Sequence, residues 1–170
     1  MSNDCECTLC QHWESEPETE PEPEALYAYT WQDAVDDGTF VQLSGAGYPA
    51  HGDAWVPQMV AEAGIRFPLA VTREVFHDCV APLADTGDEL APTQDIKGRL
   101  WDLLSMLKMA IRRSTAGGSD LSFELHVVKN CPAGKAQWTR PRKVTLCASC
   151  GPRSMTDPAP VLTVFYPEQR

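Results

Sequence analysis

One stretch of this chain has unbroken helical periodicity. From Gln94 to Arg113, Ile96, Leu100, Leu103, Leu107, Ala110 and Ile111 recur at spacings of three and four with Leu104 beside them, which predicts a helix with one continuous apolar face. Asp102, Ser105, Lys108 and Arg112 fall on the opposite side. Thr93 is the expected N-cap, Asp95 lies in the first turn, and Arg112 and Arg113 lie in the last, which suits the helix dipole at both ends. Gly117-Gly118 is the expected stop. Beyond it the period changes from 3.6 to 2: in the segment 121–129, Leu121, Phe123, Leu125 and Val127 take odd positions, while Ser122, Glu124 and His126 face the other way. Residues 143–147 and 161–166 are two further strand candidates, joined by open connections.

The N-terminal half carries shorter signals. Thr30-Trp-Gln-Asp33 reads as a capping box that starts a short helix ended by Gly38, and Phe40 to Leu43 reads as a short strand. Asp53 is the expected cap of a helix over 54–63, with Pro57 in its first turn and Gly64 at its end. Residues 67–71 are extended because the residue before a proline avoids the helical region. Thr72 then caps a helix carrying Val75, Phe76, Cys79 and Val80 that ends near Pro82. Short elements, then a long helix, then consecutive strands imply an α+β fold. Its core is an antiparallel sheet of three to five strands packed on the central helix over 94–113, with Trp31, Trp55 and Trp101 as core or edge packing.

Charge divides the chain unevenly. Of 24 Asp and Glu residues, eight lie in residues 1–25, where there is no Lys or Arg; the other 16 face all 14 basic residues in 26–170. The net charge of -10 is therefore mostly a property of the leader. Alternating Glu and Pro over 14–24 buries no apolar surface, so residues 1–25 are read as a disordered acidic leader and 26–170 as a single domain. The leader has no apolar signal region, and no stretch reaches the ~18 apolar residues that a membrane span requires. A cytoplasmic setting without membrane contact is the expectation. The seven cysteines are an odd number, which favours free thiols or metal ligands over a disulfide framework.

Five segments together resemble an uncharacterised family of small bacterial, phage and plasmid proteins. They are Tyr29-Thr-Trp-Gln-Asp-Ala-Val-Asp-Asp-Gly38, Ala63-Gly-Ile-Arg-Phe-Pro-Leu-Ala-Val-Thr72, Gly98-Arg-Leu-Trp-Asp-Leu-Leu-Ser-Met-Leu107, Cys150-Gly-Pro152 and Pro160-Val-Leu-Thr-Val-Phe-Tyr-Pro167. The resemblance spans roughly residues 27–168 and assigns no catalytic residue. It implies a mobile-element setting inside a bacterial host, where small accessory proteins act by binding host components. The Cys-containing leader and residues 130–142 depart from the pattern.

Three groups of residues carry candidate chemistry. Cys7-x-x-Cys10 and Cys147-x-x-Cys150 form two pairs that, brought together by the fold, supply the four thiolates of a structural zinc site, with Cys5 and His12 as spare ligands. Cys5, Cys7, Cys10 and His12 make a leader-only version, and the alternative is no cofactor. Cys147 to Cys150 as a redox pair is the weaker reading, since such pairs sit at helix N-termini. Lys129, Lys135, Trp138, Arg140, Arg142 and Lys143 form the basic concentration, which reads either as a solvated loop or as a surface for phosphates and a stacked base. His126 beside Glu124 serves as an acid/base pair only if a pocket forms there, and adjacent His77, Asp78 and Cys79 diverge on a helix. The expected function is a non-enzymatic protein-interaction module of a phage or mobile element that blocks a host defence or regulatory protein. The alternative is a nucleic-acid-binding accessory protein.

Overall fold

The computed structural model describes residues 29–48, 52–81, 95–114, 118–128 and 141–170. Residues 1–28, and with them Cys5, Cys7, Cys10, His12 and the acidic leader, lie outside these, as do Lys129, Lys135, Trp138 and Arg140.

The chain enters through α1 (Trp31–Asp36), opened by the expected capping box: Thr30 Oγ1 accepts from the Asp33 amide, and the Asp33 carboxylate accepts from the Thr30 amide at 2.8 Å. Gly38, at φ +77°, turns the chain into β1 (Phe40–Ser44). Helix α2 (Trp55–Glu62) follows, with Pro57 in the first turn and no side-chain cap, so Asp53 contributes only its carbonyl, which accepts from Val56. Strand β2 (Leu69–Thr72) is buried at all four positions. Thr72 caps a single α-turn, α3 (Arg73–Val75), which widens at once into a π-helical turn (Phe76–Val80). Helix α4 (Ile96–Arg113) is the long central helix. The remaining elements are β3 (Asp120–Val127), β4 (Arg142–Pro152), β5 (Pro160–Phe165) and a 3-10 turn (Pro167–Gln169).

The five strands form one open sheet in the order β1-β2-β5-β4-β3. The expected α+β class holds, but the sheet is mixed: β2 and β5 run parallel, with Leu69 opposite Leu162, while every other pairing is antiparallel. A connection of nearly ninety residues between β2 and β5 makes that parallel pairing possible, and it carries α4 and the β3-β4 pair.

One face of the sheet holds the main core. Leu100, Leu103, Leu104 and Leu107 of α4 are buried against Phe123, Leu125, Val144 and Leu146, joined by Val56 and Val60 of α2 and by Val75, Cys79 and Val80. Each such side chain contributes about 1.5–3 kcal/mol by leaving water. The other face is covered at one end by α1, where Trp31 packs on Ala70 and Val161 and donates from Nε1 to Thr163 Oγ1 at 3.1 Å.

Details of α4 depart from expectation. The helix starts at Ile96 and its N-cap is Asp95, whose carboxylate accepts from the Lys97 amide at 3.2 Å; Thr93 lies outside the described residues. Ile111, placed on the apolar stripe, is 41% exposed, and Trp101 is 42% exposed instead of packed. Among the described residues no helix is long and apolar enough to cross a membrane.

Candidate functional site

The unbroken alternation of β4 decides where its cysteines point. Cys147 pairs with Ser122 and Phe165, Cys150 pairs with Leu162, and the register runs without a bulge between them. Residues three apart on a regular strand face opposite sides. Cys150 therefore joins the core face with Leu146 and Ala148, whereas Cys147 lies on the outer face with Thr145 and Ser149. Both are half-buried free thiols, and as placed they do not converge on one ion. Their proposed partners Cys7 and Cys10 are outside the described residues, among which no group of three or more His, Cys, Asp or Glu side chains is arranged to hold a metal.

Of the basic concentration, Arg142 and Lys143 are described, both exposed at the start of β4. Lys143 Nζ donates to Glu124 Oε1 at 2.8 Å across the outer face and lies opposite His126 in register. This ion pair occupies the Glu124 that the acid/base reading needs.

The Asp78-Cys79 segment is brought to the C-terminal end of β5. In the π turn, Asp78 Oδ2 accepts from the Tyr166 hydroxyl at 3.1 Å, and the buried Cys79 thiol lies 3.7 Å from the same oxygen. Burial, and then the nearby Cys79 and Asp78, keep the Tyr166 phenol protonated well above its ordinary range. Alongside, Arg99 of α4 donates to the Val128 carbonyl at 2.7 Å, and its partial burial lowers its pKa. The arrangement fastens the π turn to the sheet. The exposed His77 ring lies with Nδ1 3.2 Å from Oδ1 of its neighbour Asp78.

A different surface unites features that no single segment of sequence displays. Where the C-terminal half of α4 passes the 64–67 connection, the sheet is left partly uncovered, and a groove of about 500 Å³ opens. Its floor is Leu121, Cys150 and Leu162, one residue from each of three strands. Phe67 and Ile111, 47% and 41% exposed, form its apolar walls. Arg66, Lys108 and Arg112 rim it, and no carboxylate is among its lining residues. Gly64, at φ +84°, allows the tight exit from α2 that brings Arg66 and Phe67 opposite α4; the Lys108 amine lies 3.8 Å from where a Gly64 side chain would start. Phe67 is held extended by Pro68, and Ile111 and Arg112 lie three and four residues beyond Lys108 on one flank of the helix.

Chemically, this is a concave, largely apolar surface rimmed by three cations. It suits a segment with an aromatic or aliphatic anchor flanked by carboxylates. The sequence signal was present as the Lys108 and Arg112 pair beside Ile111, but the helical stripe alone assigned Ile111 to the core.

Comparison with protein-family models, with curated proteins and with solved structures found no match in any of the three.

Proposed function

We propose that this protein acts by binding another protein, and that the groove between α4 and the 64–67 connection is its contact surface. The observation that carries this reading is the pairing of two exposed large apolar side chains, Phe67 and Ile111, with three cations and no carboxylate in one groove. Exposed apolar residues gathered in a concavity, rimmed by charge of one sign, mark an interaction site more often than a solvated surface does. The partner segment is an extended acidic peptide with an aromatic or aliphatic anchor. In the mobile-element setting implied by the sequence resemblance, that segment belongs to a host defence or regulatory protein.

The test uses the full chain and a labelled peptide with the sequence of residues 13 to 18, Trp-Glu-Ser-Glu-Pro-Glu, as a minimal probe of this chemistry. Saturable binding measured by fluorescence anisotropy is expected to weaken with salt, and by about tenfold in a K108E/R112E double variant, since each exposed pair contributes up to ~1 kcal/mol. Phe67→Ala is expected to weaken binding with the salt dependence unchanged. Absence of binding, or binding that the charge reversal leaves untouched, overturns the reading. Equal affinity for a single-stranded oligonucleotide, lost in an R142A/K143A variant, would transfer the function to the basic segment at the start of β4.

A further inference from the structure

Among the described residues the sheet ends in a long strand that is paired on one side only. Among the described residues β3 pairs only with β4, so the opposite edge of its eight residues has no strand partner. Free edges of this length are templates for further pairing unless a protein blunts them, and β3 contains no proline or glycine and shows no bulge against β4. Beside the edge, α4 presents Met106 and Met109, 38% and 41% exposed, over a hollow of about 460 Å³ that reaches Asp120 and Phe123.

We infer that this edge pairs with the same edge of a second copy, antiparallel across a two-fold axis, giving a continuous ten-stranded sheet. Strand β3 is self-complementary in one such pairing. An axis perpendicular to the sheet keeps the helix layers of both copies on one side, and opposed residues then share a face. Only two registers of this kind pair seven residues of the eight in β3. Centred on Glu124, the pairing sets two Glu124 carboxylates against each other, which is unfavourable. Centred on Phe123, it sets Asp120 opposite His126 of the second copy at both ends. The same register places Phe123 against Phe123 and Leu121 against Leu125 on the helix face, and Ser122 against Glu124 on the outer face. The two α4 helices come side by side, and Met106 and Met109 of each copy lose their exposure at the centre of the contact.

Sedimentation equilibrium of the full chain over the micromolar to submillimolar range tests this. The expected result is a reversible monomer-dimer equilibrium, the monomer having a mass of 18.7 kDa. His126→Asp sets Asp against Asp at two symmetry-related points, and Asp120→Lys sets Lys against His, so each alone is expected to weaken the dimer by about tenfold. An equimolar mixture of the two variants sets Asp against Lys at one end and Asp against His at the other, and is expected to recover the affinity as a mixed dimer. Residues 120 and 126 are both exposed, and what Asp120→Lys loses within the chain is the surface ion pair with Arg170 Nη2 at 2.8 Å, a kind of contact that adds little to stability. Amide hydrogen exchange of β3 gives a second readout in the unmodified chain, with protection rising with protein concentration. A monomer throughout the range with unchanging β3 exchange, or a dimer indifferent to both variants, overturns the inference.

Discussion

At the scale of single residues, two glycines with opposite surroundings give opposite expectations. Gly45 sits at φ +106°, and a Cβ there would lie 2.6 Å from Pro68 Cβ and 3.0 Å from Pro68 Cα. Both the backbone conformation and the space require glycine, so Gly45→Ala is expected to destabilise the protein by about 1–3 kcal/mol. Gly98 lies in the exposed first turns of α4, and nothing stands within 4 Å of the added Cβ. Gly98→Ala is therefore expected to stabilise by about 0.5–1 kcal/mol, because helix-interior glycine carries an entropic cost. Urea midpoints of the two variants check both signs. Tyr166 supplies the pH dependence at this scale. Burial first, and then Cys79 and Asp78, raise its folded-state pKa, while the unfolded chain releases the phenol proton near pH ~10. Above that pH the unfolded state binds fewer protons than the folded state, so stability falls as pH rises and is unaffected below it. The stability difference between the unmodified chain and Tyr166→Phe is expected to be constant from neutral pH upward and to shrink above about pH 10. A constant difference through that range would mean that the phenol titrates normally in the fold.

At the scale of elements, β4 makes the sharpest statement. Because Cys147 and Cys150 face opposite sides of an unbroken strand, their Cα atoms are about 10 Å apart at strand rise, beyond the ~7 Å that a disulfide tolerates. Mild oxidation of the native chain is expected to give no Cys147-Cys150 bridge by peptide mapping, and the bridge should appear only once the strand is denatured. The spacing that reads as a chelating pair in sequence assumes a turn; β-propensity over 142–152 removes the turn. The elements themselves were legible wherever a local cause sufficed. The capping box at Thr30, the stop at Gly38, the four buried leucines of α4 and the period-2 pattern of β3 each lie within a few residues of their cause. Long-range causes were not legible. Nothing in Leu69-Ala-Val-Thr72 indicates that it runs parallel to β5, because a strand buried on both faces has no alternation to read. The π turn at Phe76–Val80 preserves an ordinary helical pattern in sequence. Ile111 keeps the spacing of a core residue, but the last turn of α4 passes the edge of the packed leucines and leaves it on the wall of the groove. The groove itself is assembled from α4, the 64–67 connection and three strands, so no window of sequence contains it.

At the scale of the whole molecule, the charge distribution bears on the contact proposed for the groove. The leader carries eight acids in 25 residues with no base, whereas the remaining chain is close to neutral and places three cations around the groove. An acidic partner segment approaching Arg66, Lys108 and Arg112 meets attraction from the rim and repulsion from the leader of the same chain. The leader's own Trp13 followed by Glu14, Glu16 and Glu18 also has the chemistry that the groove selects, so competition and repulsion act in the same direction. Both effects are electrostatic and are screened over about 10 Å at 0.1 M salt. Replacing Glu14, Glu16, Glu18, Glu20, Glu22 and Glu24 by Gln in the full chain is therefore expected to tighten binding of the acidic probe peptide. The gain should be roughly three- to tenfold at low salt and should vanish above about 0.5 M, where the Debye length is only a few ångströms. Anisotropy titrations of the two chains at several salt concentrations measure it directly. Equal affinities at low salt would show that the leader does not act on the groove, whereas a gain that persists at high salt would point to a contact made by the leader's apolar residues and not by its charge.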